Sequence, residues 1–231
     1  QQVVPCGSSL AANLGKTIRV GDFSLLWLTG GSGGYYDVDK GDTFLIAGTG
    51  CIWGGGVSDY DAVTTIDLSF QSLTTDFNFL NQFEELLIFN ARGNSISILE
   101  NLPTLLNRIV VRDNLIVNLN ISSTNVSYLE IQNNSLNSLT LNNKLTLLDV
   151  GVNNLTSLDD SLLFNLTYFI FRYNSIAVID LSNMLNLATL AINNNLLTNL
   201  SFATNTLLKV AYIHNNQLNN LVNSQLLIDL D

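Results

Sequence analysis

The sequence of 231 residues is poor in charge, and above all in positive charge. Charged residues make up 12% of it, and 9 lysines and arginines stand against 19 aspartates and glutamates, which gives a formal net charge of −10. Binding to phosphate backbones or anionic membranes requires concentrated lysine and arginine. We therefore expect no nucleic-acid partner. We also expect no membrane insertion, because the longest apolar runs, such as residues 23–28, are only strand-sized.

Residues that carry catalysis are equally scarce. The single histidine, His214, belongs to no motif with a serine or cysteine nucleophile, and no glycine-rich phosphate loop is followed by lysine. The acidic pairs at residues 84–85 and 159–160 are adjacent in sequence, as is usual for solvated surface. The sequence therefore predicts a protein that is not an enzyme and that uses no cofactor.

The two cysteines, Cys6 and Cys51, both precede the regular part of the chain. In an oxidising compartment they could form a disulfide, and the alternative is a pair of inert buried thiols. The chain begins at Gln1 and its one methionine is Met184. Either a leader has been removed or the sequence is a fragment of a longer chain. A secretory leader is the more economical interpretation, and it favours an extracellular, cell-surface or virion-surface location.

From about residue 63 onward the sequence is dominated by an asparagine that recurs at a nearly fixed interval. The recurring asparagines are Asn94, Asn114, Asn134, Asn153, Asn174, Asn195 and Asn216. Successive members stand roughly 20 residues apart, which is the length of a short structural repeat. A nearly fixed period of this length is the signature of a solenoid, in which each unit buries its apolar side against its neighbours.

Apolar residues recur at fixed offsets from each asparagine. They occupy the positions eight, five and three residues before it and two residues after it in all seven units, as in Leu187, Leu190, Ile192 and Leu197. An earlier and weaker unit has Gln71 in place of the asparagine. Alternation just before the asparagine predicts a short strand, and stacked strands predict a parallel sheet.

The resulting pattern, L-x-x-L-x-L-x-x-N-x-L, resembles that of leucine-rich repeat proteins, broadly the internalin-like group of short-repeat bacterial surface proteins. The spacing of the asparagines, which shifts by one position either way between units, is less uniform than theirs. The resemblance implies a solenoid with a parallel β-sheet on its concave side. So short a period leaves too few residues for a helix on the return side, and we therefore expect a mostly non-helical convex side.

We expect each repeated asparagine to lie where the chain turns off its strand, because an amide side chain both donates and accepts hydrogen bonds and can pair with the backbone groups left free there. Stacked units would then place the asparagines in a structural ladder. Replacing Asn174 with leucine should destabilise the fold more than a surface substitution does.

Residues 1–62 differ from the repeats in composition, because they are rich in glycine and aromatic residues. They predict a small β-rich N-terminal cap or attachment module with short strands at residues 18–20, 23–28, 43–47 and 51–53. Residues 63–231 form the predicted solenoid of about eight repeats. A ninth repeat begins at Leu227 and Leu230 without its asparagine, so we expect either that the natural chain continues or that another subunit covers this end.

Three carboxylates in the N-terminal region, Asp37, Asp39 and Asp42, are spaced like the opening of a calcium-binding loop. The sixth position of such a loop requires glycine but is Asp42, and the twelfth requires an acid but is Gly48. A hairpin turn at residues 40–41 explains the same residues, so the sequence predicts no metal site beyond this weak candidate.

The outward-facing rows of the predicted sheet supply the candidate ligand-binding residues. Three of the basic residues occupy the position two before the asparagine, and the position six before it is unusually apolar for a surface. The candidates are Arg92, Arg108, Arg112, Tyr128, Tyr168, Arg172, Tyr212 and His214. An alternative is that the arginines form a row of solvent-exposed ion pairs with Glu130 and Asp149, which would contribute little stability.

These observations lead to a hypothesis of non-enzymatic recognition or adhesion outside the cell, with the concave face binding a protein or glycan. The alternative is a structural component, such as a spacer, decoration or fibre-type subunit of a virion or cell-surface assembly. A homo-oligomer or neighbouring subunits would then be the partners, and the oligomeric state distinguishes the two hypotheses.

Overall fold

A computed structural model describes residues 17–19, 64–74, 77, 80–222 and 228–229 of the chain. Cys6, Cys51, Asp37, Asp39, Asp42, Leu227 and Leu230 lie outside the described residues, so the predictions for them stay predictions. Within the described part, the helical element is a 3₁₀ turn, Leu80–Gln82. No helix there has the length and apolar character needed to cross a membrane.

Ten of the described strands form one parallel sheet, to which each repeat of the described solenoid contributes one strand. In order across the sheet they are β1 (Thr17–Arg19), β2 (Thr65–Asp67), β3 (Ile88–Asn90), β4 (Arg108–Val110), β6 (Tyr128–Glu130), β8 (Leu147–Asp149), β9 (Tyr168–Ile170), β10 (Thr189–Ala191), β12 (Val210–Tyr212) and β14 (Ile228–Asp229). The register is uniform along the stack, as in the pairing of Leu148 with Phe169. The predicted solenoid with a parallel sheet is confirmed.

The return side is extended rather than helical, also as predicted. Two short ladders lie there: β5 (Asn118–Asn120) pairs with β7 (Ser138–Thr140), and β11 (Asn199–Ser201) pairs with β13 (Asn220–Val222). In β5 and β11 the central leucine is buried while its neighbours are exposed. The extended path suits a short period, since it lets a second set of apolar residues point back into the stack.

The core is one continuous column of side chains between the sheet and the return side. Of the 28 apolar slots defined by the repeat, 27 are buried, and Leu218 at the C-terminal end is partly buried. Apolar surface contributes about 25 cal/mol per Å² removed from water, and here each coil buries that surface against the next one. The repeat spacing therefore specifies the whole core.

At the N-terminal end, β1 pairs in parallel with β2, with Ile18 opposite Ile66. The strand lies close to the one predicted near residues 18–20, and it extends the solenoid sheet by one strand. Whether residues 1–62 form a separate module, with a boundary at residue 62, stays a prediction.

The seven repeated asparagines make the same set of hydrogen bonds in successive coils. Asn195 shows the pattern: its Nδ2 donates to the carbonyls of Ile192 in its own coil and Phe171 in the preceding coil, both at 3.1 Å. Its Oδ1 accepts from the amide of Ile176, also at 3.1 Å. One side chain thus joins two coils and pairs three backbone groups that the turn removes from the sheet ladder.

A left-handed backbone conformation precedes every ladder asparagine. The residue before it has a φ between 53° and 69° in all seven units, and Phe70 occupies the same place in the weaker first unit. We call these the left-handed positions: Phe70, Gly93, Asp113, Asn133, Val152, Tyr173, Asn194 and Asn215. Backbone hydrogen bonds to the next coil hold them, such as that from the Val152 amide to the Arg172 carbonyl at 2.8 Å.

Replacing Asn195 with leucine should lower the free energy of unfolding by roughly 2–4 kcal/mol, because it leaves two carbonyls and one amide without partners in a buried position. Urea unfolding followed by circular dichroism measures the change. Asn137, which is exposed on the return path, provides the control. Its replacement with leucine should change stability by no more than about 0.5 kcal/mol. Equal losses in the two variants would contradict a bridging role for the amide.

Replacing Val152 with glycine should stabilise the protein by about 1 kcal/mol, because a β-branched residue is strained at a φ of 55° and glycine is not. Val117, a valine of similar exposure that is not at a left-handed position, is the matched control. There, glycine should destabilise by about 0.5–1 kcal/mol through its greater freedom in the unfolded chain. Thermal unfolding of both variants tests the opposite signs, and a loss at residue 152 would count against strain.

Candidate binding surface on the parallel sheet

The outward face of the parallel sheet carries all the ligand-binding residues suggested by the sequence. In each strand of the parallel sheet from β2 to β12 the central side chain is buried, so the residues six, four and two before each ladder asparagine point away from the core. We call these three rows the sheet face. Neighbouring strands stand about 4.8 Å apart along the stack, so successive members of a row lie side by side.

In the N-terminal half of the sheet face, three candidate residues meet around one carboxylate. Glu130 lies 4.0 Å from Arg108 (Nη2 to Oε1) and 3.8 Å from Arg112 (Nε to Oε2), and it accepts a hydrogen bond from the Tyr128 hydroxyl. The Arg108 guanidinium lies 3.9 Å above the centre of the Tyr128 ring. We call Arg108, Arg112, Tyr128 and Glu130 the charged cluster.

For Arg108 and Arg112, the charged cluster supports the alternative interpretation, in which the arginines pair with acidic residues of the sheet. Arg112 is further occupied by Asp113, at 3.0 Å from Nη1 to Oδ2. Partly exposed pairs of this kind contribute little stability, typically about 0–1 kcal/mol. Burial and the hydrogen bond to Glu130 both raise the pKa of the Tyr128 hydroxyl, so it stays protonated as a donor near neutral pH.

Arg92 and Arg172 are placed differently from the arginines of the charged cluster. The Arg92 guanidinium lies 5.1 Å from the centre of the Phe70 ring. That ring covers Gly93, where an added Cβ would lie 2.3 Å from Phe70 Cδ1. Arg172 is exposed and, among the described residues, has no carboxylate within 4.0 Å. Arg172 is therefore free to bind an incoming group.

Asp149, the other predicted arginine partner, lies between the two halves of the sheet face. Burial raises its pKa, while a hydrogen bond from the Gly151 amide and the charge of Arg172 act in the opposite direction. Gly151 makes room beside it: an added Cβ would lie 3.2 Å from Arg172 Cγ and 3.4 Å from Asp149 Oδ1. Arg172 thus acts on Asp149 through space but forms no contact ion pair with it.

The C-terminal half of the sheet face is nearly free of charge. Its nine positions on β9, β10 and β12 and after them hold Arg172 as their one charged residue, and we call this surface the aromatic half. It comprises Tyr168, Ile170, Arg172, Thr189, Ala191, Asn193, Val210, Tyr212 and His214. Tyr168 is 48% exposed and Tyr212 is 40% exposed, which is high for large side chains on an ordered sheet.

The strand between the two tyrosines, β10, carries only small side chains on its outward face. Thr189 lies opposite Tyr168 on one side, and Ala191 lies opposite Tyr212 on the other. This alternation of large and small residues gives a shallow trough with an aromatic ring on each flank. Tyrosine is enriched in interface centres because its rigid ring buries a large area and its hydroxyl hydrogen-bonds.

The sequence indicated these residues but not their division into two surfaces. It also missed the left-handed positions beside the sheet face, where Tyr173 is 55% exposed. Among the described residues, no group of three or more histidines, cysteines or acids is placed to hold a metal ion.

The fold is similar to that of several solved structures. An internalin from Listeria monocytogenes is 19% identical with a TM-score of 0.60, and the match covers 74% of this chain and 58% of that one. YopM from Yersinia enterocolitica is 20% identical with a TM-score of 0.61, covering 74% and 42%. Toll, solved in complex with Spätzle from Drosophila, is 19% identical with a TM-score of 0.58, covering 74% and 28%.

The chain therefore spans less than two thirds of each of these larger proteins. No protein-family model matches the sequence, and no curated protein matches it. Identities this low support the fold alone, and the neighbours agree on it. The chain is a leucine-rich repeat protein in fold, consistent with the internalin-like resemblance of its sequence.

Proposed function

We propose that this protein is a non-enzymatic recognition module that binds a protein partner through the aromatic half of the sheet face. The observation that carries the proposal is the trough between Tyr168 and Tyr212, with Thr189 and Ala191 as its floor. Exposed aromatic side chains around a depression are what interface centres use. The Toll structure is a complex with a protein, which supports a protein partner for this fold.

Electrostatics favours the same half as the centre of the interface. Interface centres are depleted in charge, and their rims are polar. The charged cluster lies next to the aromatic half, and its arginines are already engaged by Glu130 and Asp113. It therefore suits a rim that orients the partner, while Arg172 remains available for a bidentate bond to a carboxylate.

The proposal includes a location outside the cell or on a particle surface, which the sequence also favours. Its negative net charge argues against nucleic acid as the main ligand. The structural-component alternative uses the same face to pack against a neighbouring subunit. An oligomer that dissociates when the trough is altered would favour that alternative.

A photo-crosslinking amino acid at residue 168 or 212, in the full chain, should capture a discrete protein partner from the surface of the source cell or its host. The same label at residue 178, whose side chain is 79% exposed outside the sheet face, is the matched control. Unlabelled wild-type protein should compete for the capture. A variant with Tyr168→Ala and Tyr212→Ala should not, since loss of two interface anchors weakens binding by roughly 30-fold or more. Equal competition by wild type and variant would contradict the proposal.

Once the partner is in hand, Arg172→Ala should weaken the complex more than Arg112→Ala does. Arg172 has no ion pair to give up among the described residues, whereas Arg112 must first leave Glu130 and Asp113. Titration calorimetry at two salt concentrations measures the difference, which should shrink at high salt because exposed charges are screened. A larger effect at residue 112 would move the interface centre to the charged cluster. Light scattering on both variants tests for an oligomer. Labelled single-stranded RNA and a glycan array, offered as further ligands, test the other partner classes.

A further inference from the structure

The return side of the solenoid contains a groove that the recognition hypothesis does not use. It has a volume of about 580 Å³ and lies between the second and third coils. We call it the back groove, and its lining includes Leu99, Glu100, Asn118, Leu119, Ser138 and Thr140. Its volume lies within the roughly 300–1,000 Å³ typical of small-molecule sites.

The back groove exists because the backbone pairing on the return side is interrupted there. Leu99 forms a parallel bridge with Phe77 of the preceding coil, supported by the bond from the Glu100 amide to the Phe77 carbonyl at 2.9 Å. The next strand, β5, pairs forward with β7. Among the described residues, no backbone hydrogen bond joins residues 98–100 to β5.

The break coincides with a change at one position of the repeat. The position seven after the ladder asparagine is buried and apolar in Ile121, Leu141, Leu181 and Phe202, but it is polar in two coils, as Asn101 and Asp160. In the second coil it is Asn101, which adopts a left-handed conformation with a φ of 52°. A proline follows two residues later. The chain therefore leaves the return ladder early at this coil, and within the described part of the chain β5 has a strand beside it on one edge alone.

The walls of the groove are polar but mostly uncharged. Strands β5 and β7 direct Asn118, Asn120, Ser138 and Thr140 outward, with Asn118 opposite Ser138 and Asn120 opposite Thr140. The Asn120 Oδ1 accepts a bond from the Ser122 amide at 3.0 Å, which orients that side chain. Amide and hydroxyl groups both donate and accept hydrogen bonds, so these walls match a ligand that does both.

The floor of the groove is apolar. Leu99 and Leu119 lie at its base and are 2% and 3% exposed, and the partly buried Leu102 beside them has accessible aliphatic surface. Among the described residues that line the groove, Glu100 is the one charged residue. A phosphate, sulfate or carboxylate ligand would meet this carboxylate and the net charge of −10, with no cation among the described lining residues to compensate. The chemistry thus selects a neutral ligand rich in hydroxyl groups.

We propose that the back groove is a binding site for a neutral oligosaccharide, with Asn118 and Thr140 as hydrogen-bonding residues and the partly buried Leu102 against the apolar face of a sugar ring. Sugars offer vicinal hydroxyls, which amide and hydroxyl side chains pair with, and an apolar ring face that packs on aliphatic surface. The site lies on the opposite side of the stack from the aromatic half. It is therefore independent of the protein-binding proposal.

The test uses the full chain on an array of neutral oligosaccharides built from hexose and N-acetylhexosamine units, with their sulfated forms alongside. Titration calorimetry then measures the affinity of each bound sugar. The groove variant combines Asn118→Ala with Thr140→Ala. The matched control combines Asn199→Ala with Ser201→Ala, which removes one exposed amide and one exposed hydroxyl from the other return ladder, away from the groove.

A neutral oligosaccharide should bind, and the groove variant should lose about tenfold or more in affinity while the control stays within about twofold of wild type. Urea unfolding of both variants should match wild type, which separates lost contacts from lost structure. Failure of every neutral sugar to bind, a preference for sulfated sugars, or equal affinity in both variants would overturn the proposal.

Two further outcomes distinguish this proposal from sugar binding at the sheet face and from peptide binding at β5. If the Tyr168→Ala and Tyr212→Ala variant lost sugar binding while the groove variant kept it, the sugar would occupy the sheet face and the back-groove assignment would be wrong. If an extended peptide bound instead, shifting the backbone amide resonances of residues 118–120 by adding a strand to β5, the oligosaccharide assignment would likewise be overturned. Retention of sugar binding by the tyrosine variant supports the back groove.

Discussion

The fold depends on one recurrent hydrogen-bonding problem: the chain must leave the sheet every coil without leaving backbone groups unpaired in the core. The ladder asparagine solves it with a single amide that reaches into two coils. At Asn174, Nδ2 donates to the carbonyls of Phe171 and Val150 while Oδ1 accepts from the Leu155 amide. Since an unpaired buried group costs roughly 1–3 kcal/mol, no apolar residue of similar size can replace it cheaply. The asparagine therefore fixes where each coil turns, and with it the length of the repeat.

The turn at each asparagine carries a conformational cost, because the residue before the asparagine must adopt a left-handed conformation. Glycine or asparagine would relieve it, yet Val152 and Tyr173 adopt nearly the same φ as Asn133. Backbone hydrogen bonds to the next coil hold these residues, as when the Tyr173 amide donates to the Asn193 carbonyl at 3.1 Å. Strain of about 1–3 kcal/mol at one residue persists only where the surroundings determine it fully. In a solenoid those surroundings are the identical turns above and below.

How far the sequence predicts this molecule depends on whether a feature repeats. The core, the sheet and the extended return side follow from the spacing of leucines and asparagines, because each coil solves the same packing problem. The left-handed positions were missed, although five of the eight are glycine, aspartate or asparagine, which favour that conformation. At Phe70, Val152 and Tyr173 no such signal exists, and neighbouring coils impose the conformation. The sequence also left two pairings open for the arginines. The choice between Glu130 and solvent depends on side-chain placement across the sheet, which periodicity does not encode.

The two candidate surfaces arise where the repeat is varied, for different physical reasons. On the sheet face the backbone stays regular and only the outward side chains change, so the trough at Thr189 and Ala191 costs the core nothing. On the return side, Asn101 replaces a buried apolar residue and changes the backbone path, which opens a groove beside β5. Such a break gives up buried apolar area and ladder hydrogen bonds, and among the described residues the return pairing is also absent between β7 and β11. Ligand binding at the groove would supply the compensating free energy, because a ligand that binds the native state alone stabilises it.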